Sequence, residues 1–192
     1  TLDWFSSDSR FHLLYPEPVR ELAMRHWTPL EVAKKSAGFL SMEKGSKILD
    51  IGSGSGKFCL IAARFQPECY FTGVEQRKEL IDVSNETKAK LGLTNVNFIH
   101  DNFTNLDFSN YNHFYFYNSF YENLDGMPSI DKSVPLSEDL YHMYNRKLYR
   151  KLSSVPSGTR LVTYHSAEKE IPSGFLEVNA DENNMLKFWI KL

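Results

Sequence analysis

At 192 residues the chain is long enough for one well-filled α/β domain and too short for two ordinary ones. With 42% hydrophobic and 24% charged residues it is globular, neither fibrous nor disordered. The 22 Lys and Arg nearly balance 24 Asp and Glu, so no global field attracts polyanions; a nucleic-acid partner is less expected than a protein or a small molecule, although a local patch is not excluded.

Cys59 and Cys69 lack the spacing and the neighbouring histidines of a metal site or disulfide framework, so no metal is expected and the thiols read as buried apolar groups. No charged-then-apolar leader opens the chain and no apolar run approaches a membrane span. A soluble, cytoplasmic protein is expected. The first residue is Thr1 and not Met, which leaves the native start open.

The first dozen residues, with Trp4, Phe5 and Phe11, lack periodicity and read with Tyr15 and Pro16 as an arm. Helical spacing follows over Pro18 to Trp27 and again over Thr28 to Leu40. Thr28-Pro29-Leu30-Glu31 makes a good helix entry, with Thr28 as candidate N-cap. Residues 1–43 are accordingly expected as a helical arm or cap, and residues 44–192 as the main domain.

Strand and helix then alternate. Strands are expected at Lys47 to Ile51, Tyr70 to Val74, Val96 to Ile99 and Phe114 to Tyr117. Helices are expected at Lys57 to Phe65 and at Lys78 to Leu91, the second closed by Gly92. Such βαβ repetition implies a mostly parallel sheet covered on both faces. Ser119 to Ser137 has no period and is long for a connection, as lids at strand ends often are. An amphipathic helix over Ser137 to Leu152, a strand over Arg160 to Tyr164, and a closing hairpin of Phe175 to Val178 and Leu186 to Ile190 complete the chain. The bases Arg146, Lys147, Arg150 and Lys151 read as a solvated helix face.

The chemistry concentrates in Asp50-Ile-Gly52-Ser53-Gly54-Ser-Gly56-Lys57, which follows the first strand, and in Gly73-Val-Glu75, which ends the second. A P-loop needs four residues between its first Gly and its Gly-Lys pair; here there are three, and Phe58 follows Lys57 where Ser or Thr would hold magnesium. The dinucleotide fingerprint Gly-x-Gly-x-x-Gly has its third glycine one place later than here, which disfavours an NAD-dependent oxidoreductase.

The surviving pattern resembles the class I S-adenosylmethionine-dependent methyltransferases. That resemblance implies a single-domain Rossmann-like α/β fold: a seven-stranded, mostly parallel sheet of order 3-2-1-4-5-7-6, with helices on both faces and an antiparallel C-terminal hairpin. It implies S-adenosylmethionine as methyl donor and S-adenosylhomocysteine as product. Asp50, Gly52, Ser53, Gly54 and Gly56 would meet the methionine part, Glu75 and Gln76 the ribose, and Asp101, Asn102 and Phe103 the adenine, with Asn102 offering its backbone N–H and Phe103 packing. The chemistry agrees, since a carboxylate accepts both ribose hydroxyls and a carboxylate followed by an N–H complements adenine.

After the fourth strand the chain reads Tyr117-Asn118-Ser119-Phe120-Tyr121. Amino-group methyltransferases carry there Asn or Asp, two prolines and an aromatic; Asn118 and Tyr121 match the ends, and Ser119 and Phe120 replace the prolines. The Asp-x-Gly-Ser-Gly loop, Gly-Val-Glu and the Asn-containing aromatic stretch are more similar to the Dot1-like branch, which methylates histone lysine, and to its small bacterial relatives, which share Thr28-Pro29. The extended substrate-binding flanks of the histone enzymes are missing, so histone specificity is not carried over. Methyl transfer by in-line displacement to a nitrogen, with protein lysine as one candidate, or to an oxygen is expected, with Asn118 positioning the acceptor and contacting cofactor and Tyr121 as aromatic wall. His165, a candidate base, reads better as an ordinary strand-end residue; Tyr15, Trp27 and Thr28 could close the site from the amino-terminal side, although core packing explains the two aromatics better. A cofactor-binding module without transfer activity is the competing reading.

Overall fold

The computed structural model describes residues 3–166, 170–181 and 183–192, apart from the side chain of Met24. Seven strands form one sheet of order β3-β2-β1-β4-β5-β7-β6. They are β1 (Lys47–Ile51), β2 (Tyr70–Glu75), β3 (Val96–His100), β4 (His113–Tyr117), β5 (Arg160–Tyr164), β6 (Phe175–Ala180) and β7 (Leu186–Lys191). The first five are parallel, and β7 runs antiparallel between β5 and β6. The expected topology is therefore present, and each strand lies within two residues of its expected end. Glu182, inside the expected hairpin link, lies outside the described residues.

Near-continuous apolarity in the central strands follows from burial on both faces. In β1, Ile48 packs into one core while Leu49 and Ile51 enter the other; in β4, Tyr115 and the pair Phe114 and Phe116 divide the same way. Helices α4 (Leu30–Leu40), α5 (Lys57–Phe65) and α6 (Lys78–Leu91) supply the first core with Ala33, Leu60 and Ile81. Helix α7 (Glu138–Ser153) covers the second with Tyr144, Leu148 and Leu152. Ser137 caps α7 by accepting the Leu140 N–H, a contact of the kind that stabilises by about 1 kcal/mol.

The amino-terminal segment departs from expectation. Its first residues form α1 (Asp8–His12), and Phe11 and Leu14 enter the same core as Ile48 and Phe58, joining Tyr15, for which core packing is the expectation. The helix expected over Pro18 to Trp27 is broken into α2 (Glu17–Glu21) and α3 (Ala23–His26). The Val19 carbonyl instead accepts the indole N–H of Trp27 at 2.7 Å, and this long-range bond competes with a continuous ladder. Nor does Thr28 cap α4. Asp8 takes that place by accepting the Leu30 N–H at 2.9 Å, and Thr28 is bonded to the Tyr115 hydroxyl at 3.0 Å.

Asp8 also pairs with Lys57, the first residue of α5, whose ammonium is buried and lies 2.8 Å from His12 Nε2. Burial lowers the Lys57 pKa, and the Asp8 carboxylate opposes that fall. No helix among the described residues is long and apolar enough to cross a membrane, and among them no group of three or more His, Cys, Asp or Glu could hold a metal.

Candidate active site

The carboxyl ends of β1, β2, β3 and β4 surround a cavity of about 500 Å³. Open parallel sheets bind ligands at this edge, because strand ends and the turns after them converge there. Of the residues singled out from sequence, Gly52, Gly54, Glu75, Gln76, Asp101, Phe103, Asn118 and Tyr121 line it.

The other four do not. Asp50 and Ser53 line a pocket of about 20 Å³ beside it, with Thr28, Lys57 and Tyr115. Burial pushes the Asp50 carboxyl up to about 8, and Cys59 Sγ lies 3.6 Å from its Oδ2. Gly56 lies beneath the loop, where an added Cβ would come within 2.6 Å of the Phe98 ring and 2.8 Å of Ser84 Oγ. Asn102 spends its backbone N–H on Asp101 Oδ1 at 2.6 Å, and its side chain bridges Gln76 and Tyr144 at 2.9 and 3.0 Å. The N–H expected to face adenine is thus engaged by the preceding carboxylate.

The glycines serve the protein as well as a ligand. Gly52 has φ 75°, and a Cβ there would overlap Ser119 Cβ and Oγ. At Gly54, φ 53°, a Cβ would sit 2.5 Å from the Trp27 ring, which forms part of the cavity wall. The loop is therefore pressed between β4 and the amino-terminal segment. Ser119 fastens it, donating from Oγ to the Ile51 carbonyl at 2.7 Å.

Glu75 is buried at the tip of β2. Its Oε2 accepts the Gly54 N–H at 3.1 Å and its Oε1 the Arg77 N–H at 2.9 Å, so the carboxylate ties the glycine loop to the next turn. Burial raises its pKa, against the opposing pull of Arg77 and the two N–H groups. Asp101 Oδ1 is occupied by Asn102 and Asn105, while Oδ2 has no partner among the described residues. Phe103 stacks on Phe120 at 5.1 Å, with Tyr144 beside both.

At the β4 end, Asn118 has φ 38°, and its side-chain amide makes no hydrogen bond to the described residues. Tyr117, Tyr121, Trp27, His26, Arg25 and His165 line the same cavity. Burial lowers the pKa of both His26 and His165, and pushes Tyr117 up to about 12.

Residues 42–187 match the family model described as "Methyltransferase domain". The chain belongs to this methyltransferase family. It shares 50% identity over 54 residues with a tRNA (guanine-N(7)-)-methyltransferase of Synechococcus sp. (strain JA-3-3Ab), a match covering 28% of this chain and 23% of that protein. With the enzyme of the same name from Nostoc sp. (strain PCC 7120 / SAG 25.82 / UTEX 2576) it is 31% identical over 87 residues, covering 45% of this chain and 39% of the relative. The matches thus span well under half of these relatives. Among solved structures, TrmN from Thermus thermophilus aligns over 91% of this chain and 52% of its own, with TM-score 0.62 and 18% identity. An RNA methyltransferase from Salinibacter ruber in complex with S-adenosyl-L-homocysteine aligns over 85% and 92%, with TM-score 0.57 and 17% identity. At these identities the two structures support the fold.

S-adenosylmethionine is the methyl donor that the resemblance implies for this methyltransferase domain, and the cavity suits that group. Each Glu75 oxygen makes one hydrogen bond to backbone and keeps acceptor capacity for a ribose hydroxyl. Asp101 Oδ2 is free for an adenine amino group, Phe103 offers a flat apolar surface, and Gly52 and Gly54 expose backbone. When bound, the cofactor supplies an electrophilic methyl carbon on a sulfonium.

Sequence reasoning missed Arg77, Ser119 and Glu122 in this wall, and for Trp27 it ranked core packing above closing the site. Trp27 does both, being only 4% exposed. A lone arginine within Glu75-Gln-Arg-Lys78 carries no local signal; its meaning comes from partners 45 and 54 residues away.

Proposed function

We propose that this methyltransferase transfers a methyl group to a nitrogen nucleophile seated against Asn118. The observation that carries the reading is Asn118 itself, held at φ 38° with its amide unpartnered among the described residues and lining the cavity. A left-handed conformation costs a residue with a Cβ about 1 kcal/mol or more, and such strain collects where a site needs a fixed geometry. The amide oxygen can accept an N–H of the acceptor and so aim the nitrogen lone pair, leaving alignment and water exclusion as the main catalytic terms. Tyr121, partly exposed, forms a wall beside it.

On the cofactor side, Gly52 and Gly54 would run along the methionine part, Glu75 and Gln76 would hold the ribose, and Asp101 with Phe103 the adenine. Asp50, Ser53, Gly56 and Asn102 would act from behind by fixing the turns.

A nucleobase in RNA is the acceptor class we favour. The tRNA guanine methyltransferases among the relatives support it, and so does the rim, where Tyr117, Tyr121 and His165 offer flat faces for stacking and Arg25 a phosphate-binding fork. A balanced net charge does not oppose a local rim of this kind, so nucleic acid moves ahead of the protein lysine that the Dot1-like resemblance implies. Such an acceptor also agrees with the cytoplasmic location expected from sequence.

The test is transfer from methyl-labelled S-adenosylmethionine to separate pools of bulk tRNA, ribosomal RNA, protein extract and small amines. Label in an RNA pool supports the reading; label confined to protein or amines overturns the acceptor class. Unchanged transfer by Asn118→Ala would remove Asn118 from its role.

A further inference from the structure

Arg77 lies two residues past the expected ribose acid, with its side chain only 3% exposed. Its Nη1 and Nη2 donate to the two Glu122 oxygens at 2.9 Å each, and its Nε donates to Asp131 Oδ1 at 2.9 Å. Nη1 also stands 3.7 Å from Glu75 Oε1, the oxygen that takes the Arg77 backbone N–H. The two loop acids in turn organise their own surroundings. Glu122 Oε2 accepts the Ile130 N–H at 3.2 Å, and Asp131 Oδ1 accepts the Ser133 N–H and hydroxyl at 2.9 and 2.7 Å. One guanidinium therefore joins the tip of β2 to two points of the connection after β4, and Glu122 directly follows Tyr121.

We propose that Arg77 is a positioning residue that holds the acceptor wall, residues 119–137, at a fixed spacing from the cofactor acid Glu75; the proposal rests on the cofactor and acceptor ends assigned above. The geometry separates two tasks. The planar fork sets the direction as well as the distance of Glu122, which a point charge cannot do. The positive charge offsets three carboxylates brought together, with Glu75 and Glu122 largely buried, where an uncompensated acid is costly, and Asp131 partly exposed. Without Arg77, Glu122 and Asp131 would repel Glu75, and the loop would leave the cavity. Lysine would keep the charge and lose the fork.

That separation defines the test. Affinity for S-adenosylhomocysteine is measured by calorimetry, and backbone exchange of residues 119–137 by hydrogen–deuterium exchange of the ligand-free protein, in the parent chain, Arg77→Lys and Arg77→Gln. Arg77→Gln is expected to weaken binding about tenfold or more and to speed loop exchange on the order of ten- to a hundredfold, with β5 and β7 unchanged. Arg77→Lys is expected to restore binding to within about threefold while the loop stays fast, a split that general destabilisation does not produce. Parent-like loop exchange in a folded Arg77→Gln protein overturns the proposal, as does full rescue of both readouts by lysine. If Arg77→Gln fails to fold, Glu122→Gln takes its place, and a loop as slow as the parent's is the overturning result. Failure of the parent chain to bind S-adenosylhomocysteine would instead sink the cofactor assignment, because the exchange measurement needs no ligand.

Discussion

Gly52 and Ser119 share one volume: the space a Cβ would take on the glycine is filled by the serine Cβ and Oγ, and that Oγ is hydrogen-bonded to the Ile51 carbonyl. The turn after β1 and the turn after β4 are thus fitted to each other before any ligand enters. Gly52→Ala should destabilise the fold by about 2 kcal/mol or more, part from the left-handed backbone and part from the overlap. Adding Ser119→Gly should recover the overlap, less the hydrogen bond to the Ile51 carbonyl, whose loss Ser119→Gly alone measures. Denaturant midpoints of the single and double variants measure both parts, and full recovery would show that the backbone conformation costs nothing.

Glu75 is expected to act on binding and folding together. Its removal in Glu75→Ala takes the acceptor from the Gly54 and Arg77 N–H groups and leaves Arg77 with less countercharge. Loss of about 1–3 kcal/mol of stability should accompany loss of most S-adenosylhomocysteine affinity. Parallel denaturation and calorimetry check this. A variant that binds like the parent would refute the ribose role.

Asp50 makes stability depend on pH. An unfolded aspartate titrates near 3.9, and burial pushes the native carboxyl up to about 8. Between those values the native state holds a proton that the unfolded state releases, so the stabilisation present below the lower value drains away as pH rises to about 8, by up to ~1.4 kcal/mol per unit. Asp50→Asn, which imitates the protonated acid, should flatten that slope and raise stability at pH 8. Urea midpoints from pH 4 to pH 8 measure it, and equal slopes in parent and variant would contradict the assignment.

Asn118 offers a way to separate backbone strain from side-chain chemistry. Asn118→Gly relieves φ 38° and should leave stability unchanged or raise it by up to about 1 kcal/mol, despite the greater freedom of glycine in the unfolded chain. Transfer should fall on the order of a hundredfold for both Asn118→Gly and Asn118→Ala, because both lack the amide. A single-turnover assay with the RNA pool that accepts label tests this.

Sequence patterns located the sheet because burial on both faces and the glycine turn are local signals: Lys47–Ile51, Lys57–Phe65 and Lys78–Leu91 lie within their expected ends. The cavity residues at strand tips, such as Glu75 and Asp101, were legible for the same reason, since a strand end tells where a side chain must stand. What was not legible depends on distant partners. Trp27 reaches Gly54 only after the arm folds back, Arg77 needs Glu122 and Asp131, and Lys57 looks unsuited to its buried place until Asp8 is beside it. The Asp50 carboxyl and the Asn102 backbone N–H do not face the cavity as expected, because neighbours bond to them first, Cys59 in one case and Asp101 in the other.

The ion pair between Asp8 and Lys57 has a consequence for how this protein can be divided. A fragment starting at residue 44 would retain the whole sheet and every residue expected at the cofactor. It would also strip the carboxylate from the ammonium under the glycine turn and uncover the face that Phe11 and Trp27 protect. The segment ahead of β1 therefore behaves as a keystone: the boundary drawn at residue 43 marks a change of sequence pattern, and a cut there should yield insoluble material and not a minimal enzyme.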